Sequence, residues 1–328
     1  MSVNTTLADV SGLLVGSSMA VYTGALLAFA VDLSGRARGN RAPVDQAAEK
    51  ELVTAGPVPP PAPSQPQSLP PLGIGRAGNV AHALTVVALV LHAGAVVTRG
   101  LSAERVPWGN MYEFAVSGSL VVTAVFVALV AWRRDLRFLG LFTVGPVLLT
   151  LGVATTLLYT ESARLVPALQ SPFLVIHVSV AFVASALFTI GFSVVVLQLV
   201  QERRERARAA GRPAVRGAFM ERLPRSAELE RIGYRLVALA FPLWSFTLVA
   251  GAIWAEKAWG RYWGWDPKEV WTFVIWVVYA AYLHARATRG WDGRRAAYLS
   301  IAGFVCLLVN FGIVNVFFSG EHSYAGIG

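Results

Sequence analysis

The hydrophobic positions of this chain fall in continuous blocks, not in alternation. Eight blocks, each near the length of about 20 residues that spans a bilayer's hydrocarbon core, lie at roughly 11–31, 78–98, 112–132, 136–158, 173–200, 233–255, 269–286 and 296–318. Only helices and closed barrels satisfy the backbone in lipid, and unbroken apolar runs predict helices. The expected fold class is therefore an all-α polytopic membrane protein of about eight transmembrane helices.

Charge orients the spans. Lys and Arg precede none of the first block, while Arg36, Arg38 and Arg41 follow it, so that block is expected to stay as an anchor with its N-terminus outside and not to be cleaved as a signal peptide. Loops on the inner side then carry 21 Lys and Arg residues against six on the outer side. That is the positive-inside bias, with both termini on the external face. The formal charge of +9 is therefore a topology signal, and a nucleic-acid partner is excluded. The chain divides into a first transmembrane helix (1–33), a cytoplasmic Pro-rich linker (34–76) and a membrane domain (77–328). Eight prolines between 57 and 71 make that stretch extended or disordered. The run "QERRERARAAGRPAVRG" reads as a solvated helix extension and a loop that can touch anionic lipid. The one cysteine, Cys306, lies inside a block, which excludes an internal disulfide or a CxxC redox pair.

Against this background the external stretch "WGRYWGWDPKEVW", Trp259 to Trp271, stands out: it holds four of the chain's ten tryptophans and a tyrosine. An interfacial aromatic belt accounts for one or two such rings, not for this density around a "WDPKE" core. Pro267 suits the first turn of span seven, with Asp266 as its N-cap and Lys268 and Glu269 in that turn. Exposed flat rings beside a few charges suit a large planar ligand that also carries charge. Haem is one such ligand, and it requires histidines at the same face. His177 lies about one turn into span five and His322 just past span eight, both on the external side by the charge count. His284 differs: about 15 residues into span seven, it lies about 22 Å from the outer end, near the cytoplasmic boundary. Residues alone leave His284 open between a functional group and an interfacial one. His82 and His92 read as structural or polar-packing residues.

"WGRYWGWDPKEVWTF" resembles the tryptophan-rich WWD signature of haem-handling proteins in cytochrome c maturation, flanked by external histidines at His177 and His322. "NMYEF", with Asn110 and Glu113, resembles a second, shorter family motif in an external loop. Span count and length resemble the CcsA family of the system II pathway, often labelled CcsB in actinobacteria, more than the shorter CcmC or the longer CcmF of the same superfamily. The resemblance covers most of the chain outside 34–76 and 201–225. It implies that the external WWD loop at 256–271 cradles haem b as cargo, through Trp259, Tyr262, Trp263, Trp265, Asp266, Pro267, Lys268, Glu269 and Trp271, with Asn110 and Glu113 nearby. His177 and His322 would ligate the iron, and His284 would hold haem within the membrane together with a histidine of a ResB-like partner subunit. The implied activity is delivery of haem to the outer face of the bacterial plasma membrane and its thioether attachment to CxxCH apocytochrome c, as part of a cytochrome c synthase (haem lyase) complex. Other proteins would keep the thiols reduced. One departure from the pattern is Glu321 in "GEHSY", where a smaller or neutral residue is expected. The competing expectations are a membrane electron carrier with permanent haem, whose ligands would sit on facing helices, and a solute transporter, which would show broken helices and midplane charges.

Overall fold

The computed structural model describes residues 4–38, 76–163, 171–212, 220 and 223–322. The Pro-rich segment 57–71 and part of the Arg-rich loop lie outside the described residues. Among the described residues eight helical segments are long and apolar enough to cross a membrane, one for each expected span, the last of them running from Arg294 to Phe317. Their α-helices are α1 (Thr5–Arg38), α2 (Arg76–Ser102), α3 (Met111–Trp132), α4 (Gly140–Leu157), α5 (Pro172–Ala209), α6 (Ser226–Trp259), α7 (Pro267–Arg289) and α8 (Arg294–Leu308). A 3₁₀ turn, Arg134–Leu139, leads into α4. A π-helical stretch, Val309–Val314, continues α8 into a last short turn, Asn315–Phe317. Among the described residues there is no strand.

The helices outrun the apolar blocks where polar residues are themselves good helix formers. α5 continues to Ala209 because "QERRERARA" favours helix and an ion pair between Glu202 and Arg206, one turn apart, supports it in water. α5 is also the most buried span and forms the spine of the bundle. Phe188 stacks on Tyr279 of α7 with 3.9 Å between ring centroids and meets Trp244 of α6 edge-on at 6.1 Å. Phe192 stacks on Phe304 of α8 at 4.3 Å. In lipid, association rests on close packing and buried polar contacts, so small residues matter at the crossings. A methyl group at Gly303 would lie 2.8 Å from the Tyr279 ring, which only glycine avoids.

α1 is bound to α2 along its length. Ser11 Oγ donates to the Ala95 carbonyl at 2.7 Å, and the Asn4 amide donates to the Ser102 carbonyl at 3.0 Å. His92 is fully buried, with Nε2 3.0 Å from the Val116 carbonyl and Nδ1 3.4 Å from the Tyr22 hydroxyl. It joins α1, α2 and α3, which is the packing role expected of it. His82 is half-buried, and its Nδ1 has no hydrogen-bond partner.

The loop between α2 and α3 is shaped by one carboxylate. Glu113, 1 % exposed, accepts from Arg99 Nε at 3.0 Å, from Arg105 Nη1 at 2.6 Å and from the Gly109 amide at 2.9 Å. Arg99 is itself buried and also donates to the Thr160 carbonyl at 2.5 Å. Removing one partner of such a cluster leaves uncompensated charge in a dry site. Glu113→Ala is therefore expected to lose about 3–5 kcal/mol of stability. Thermal unfolding of the detergent-solubilised protein should show the drop, and protease should cut the 103–109 loop faster than in the parent.

Candidate functional site

At one end of the bundle the starts of α3, α5 and α7 meet the ends of α6 and α8. There they enclose a cleft of about 1240 Å³, counted out to its open mouth. Its walls are mostly apolar or aromatic, including Trp108, Phe114, Trp244, Trp254, Trp263 and Phe311.

The start of α7 follows the local rules read from the sequence. Asp266 caps it, accepting from the Lys268 amide at 2.9 Å, and Pro267 occupies the first turn. Glu269 reaches back to the Asp266 amide at 3.1 Å, completing a capping box, and accepts from the Gly264 amide at 2.8 Å. What no local rule predicts is the other duty of Asp266. Its Oδ2 accepts from the Glu321 amide at 2.7 Å, and its Oδ1 lies 2.9 Å from His322 Nδ1. The cap of α7 thus holds the segment that follows α8. Gly320 permits this approach, since a Cβ there would fall 2.2 Å from Asp266 Oδ2.

His177, on the second turn of α5, is held from the opposite side. Its Nδ1 lies 2.9 Å from the Thr247 carbonyl of α6, and its ring is nearly parallel to Trp254, 14° apart with centroids 6.4 Å apart. Gly251 makes room, because a Cβ there would lie 2.7 Å from the imidazole. A carbonyl and a carboxylate can only accept, so Nδ1 carries a proton in both histidines, and whenever a ring is neutral its lone pair is on Nε2. Both histidines line the cleft, and both rings pack against Trp254.

The motif residues divide between the cleft and its surroundings. Tyr262, Trp263, Lys268 and Glu269 line it, as does Asn110, whose side chain caps α3 by accepting from the Glu113 amide at 2.9 Å. Lys268 Nζ donates to the Asn310 carbonyl of the π-helical stretch at 2.9 Å and sits 4.3 Å from the Phe311 ring centroid. A π-helical turn of this kind is frequent at functional sites. Trp259 backs His322 edge-on at 5.0 Å. Asp266 and Pro267 act behind the wall, through His322 and the helix start. Trp265 and Trp271 are not among the lining residues, nor is Glu113, which stands behind Asn110 in its arginine cluster. His284 is about 25 Å from Pro267 by helix rise. It lies outside the cleft and exposed on the outer surface of α7.

Sequence reasoning missed Trp254, 2 % exposed, which touches both histidines. A signal was available: Thr247, Gly251, Trp254 and Ala255 recur at helical spacing, and all four line the cleft. The unexpected Glu321 also finds its reason here, as it faces Arg261 of the motif at 3.8 Å and ties the tail to the loop.

The family model described as cytochrome C assembly protein matches residues 108–322, which include every cleft residue. A cytochrome c biogenesis protein CcsA of Microcystis aeruginosa is 35% identical over 293 residues, covering 77% of this chain and 87% of that protein. The chain belongs to the CcsA family. Similar CcsA proteins of Synechococcus elongatus and of Guillardia theta are 34% and 32% identical, covering 76% and 75% of this chain and 87% and 85% of those proteins. Among solved structures, a cytochrome c haem lyase, CcmF, superposes on the whole chain with a TM-score of 0.63 at 15% identity, and the chain spans 49% of it. That likeness is one of fold. This CcsA-family chain is a multi-pass membrane protein.

Burial opposes the charge on Asp266. The hydrogen bond and charge of His322 and the amides of Lys268 and Glu321 outweigh it, and the pKa falls from 3.8 to about 2. A depressed carboxylate contributes stability that is complete above its unfolded pKa and is lost as pH falls through the folded one. Asp266→Asn is therefore expected to lower Tm at about pH 5. That margin should shrink as pH falls from about 4 towards 2, and Tm recorded across pH for both proteins checks it.

Proposed function

We propose that this protein binds haem as cargo in the cleft and presents it for attachment to apocytochrome c in system II cytochrome c maturation. One observation carries the reading: two histidines from distant parts of the chain line one aromatic cleft, each with Nδ1 engaged and Nε2 left to bind a metal. Metal-ligating histidines characteristically donate their second N–H to a carbonyl or carboxylate in this way. The aromatic walls suit a flat macrocycle. Lys268 lines the cleft, donates to the Asn310 carbonyl and has a further N–H to offer a carboxylate of that ligand. A permanently bound electron-transfer haem would favour ligands on two enclosed helices, whereas His322 stands on the segment beyond α8 beside an open mouth.

In this reading the cleft faces the external side of a bacterial plasma membrane, as the distribution of arginines supports. The acceptor's CxxCH segment brings one histidine, which takes the place of a carrier ligand, and two thiols. Each S–H adds across one vinyl group, sulfur to one carbon and hydrogen to the other, so the attachment balances without an oxidant. The carrier's contribution is proximity and orientation, worth up to about 7–11 kcal/mol of barrier. The thiols are kept reduced by other proteins. A ResB-like subunit completes the complex and meets the exposed His284 in the membrane, where a separate haem is held before delivery.

The reading predicts chemical rescue. His177→Gly and His322→Gly each open a space the size of an imidazole beside the iron. Each should abolish formation of c-type cytochrome and regain part of it when imidazole is supplied, as read by haem staining of the product. Failure of rescue in both, with haem spectra identical to the parent, would overturn the ligand assignment. The inner site makes a separate demand: His284→Ala should lower the haem content of the purified complex while His177 and His322 remain intact. Unchanged haem content would remove that site from the scheme.

A further inference from the structure

We propose that Trp265 is a docking residue for the polypeptide that receives the cargo, and not part of the wall that holds it; the inference rests on the function proposed above.

Trp265 has φ of +58°, one of two described residues other than glycine with positive φ. Glycine adopts this conformation freely, and an L side chain rarely does. Two hydrogen bonds enforce it, because the amides on either side, of Gly264 and Asp266, both donate to Glu269 Oε2 at 2.8 and 3.1 Å. The loop does have a glycine, but it stands one position earlier. At Gly264 an added Cβ would meet Arg261 Nη1 at 1.1 Å, so glycine there lets the guanidinium lie against the loop backbone. At 265 the backbone suits glycine and the chain carries its largest side chain instead. Backbone strain of this kind persists where the surrounding structure over-determines it, and it concentrates at functional sites.

The indole is not retained for packing, since Trp265 is 77% exposed. It is not among the residues that line the cleft. Its ring meets Trp263, which does line the cleft, edge-on at 5.8 Å and 87°. Trp265 thus forms the outer lip of the mouth. Exposed Tyr262 lines the same mouth, and the Arg261 guanidinium lies against residue 264. Trp, Tyr and Arg are the residues that dominate binding energy at protein interfaces. A lipid-interface anchor needs only a position at a helix end and no special backbone. A fixed aromatic lip beside an open mouth instead fits an extended polypeptide that must lie within bonding distance of the cargo's edge. The occupant is therefore the acceptor's CxxCH-bearing segment.

The test uses the full chain with its membrane partner, purified in detergent. Trp265→Gly removes the ring and suits the backbone, so it should fold. Trp265→Asn, also tolerant of positive φ, is the second variant. Haem content and absorbance spectrum are recorded, and a fluorescent synthetic CxxCH peptide is titrated by anisotropy. Both variants should keep the haem content and spectrum of the parent and bind the peptide roughly tenfold or more weakly. Loss of haem in both would place Trp265 in the cargo wall and overturn the proposal. Unchanged peptide affinity would also overturn it, leaving an anchor to lipid. Failure of the underlying function reads differently, as an unmutated complex without haem or with a spectrum indifferent to His177 and His322.

Discussion

The carboxylate of Asp266 joins three parts of this protein that lie apart in sequence. It caps α7, receives the Glu321 amide and holds His322 by its Nδ1. Without it the segment after α8 loses two contacts to the start of α7, and His322 loses the acceptor that sets its tautomer. Glu269 works from the same turn, holding the Gly264 and Asp266 amides. The charged pair in "WDPKE" is therefore part of the scaffold before it is part of any ligand site. The aromatic rings take their places around it.

The two histidines are held in unlike ways. His177 faces a neutral backbone carbonyl within the bundle, and His322 faces a carboxylate that burial fails to neutralise. Either kind of acceptor fixes the tautomer and orientation of an imidazole. His322 also stands on the less enclosed segment, beyond α8. Trp254 separates these surroundings while touching both rings.

The polar groups near the cleft follow the membrane's demand that buried charge be paired. Glu113 is matched by Arg99 and Arg105, and in doing so shapes the loop that presents Asn110 and Trp108 to the cleft. Lys268 is given the Asn310 carbonyl where α8 widens into a π-helical turn. Each pairing removes a conformational choice near the cleft. Trp265 shows the same economy in reverse, with a backbone conformation imposed on a side chain that stays outside.

The sequence by itself determined the eight helices, the start of α7 at Pro267 and its cap at Asp266, because apolar runs and capping patterns act over a few residues. It also singled out His177 and His322 as candidates for one end of the bundle, since helix length and charge bias determine sides. Only the tertiary structure decided which of the aromatic residues share a cleft. It brought in Trp254, left Trp265 and Trp271 outside the lining, and put Glu113 behind the wall. The tautomers of both histidines were likewise beyond the sequence. They depend on the Thr247 carbonyl and the Asp266 carboxylate, 70 and 56 residues away along the chain. Such partners are set by how helices cross, and a crossing depends on every side chain in the contact, with no short pattern along the chain to announce it.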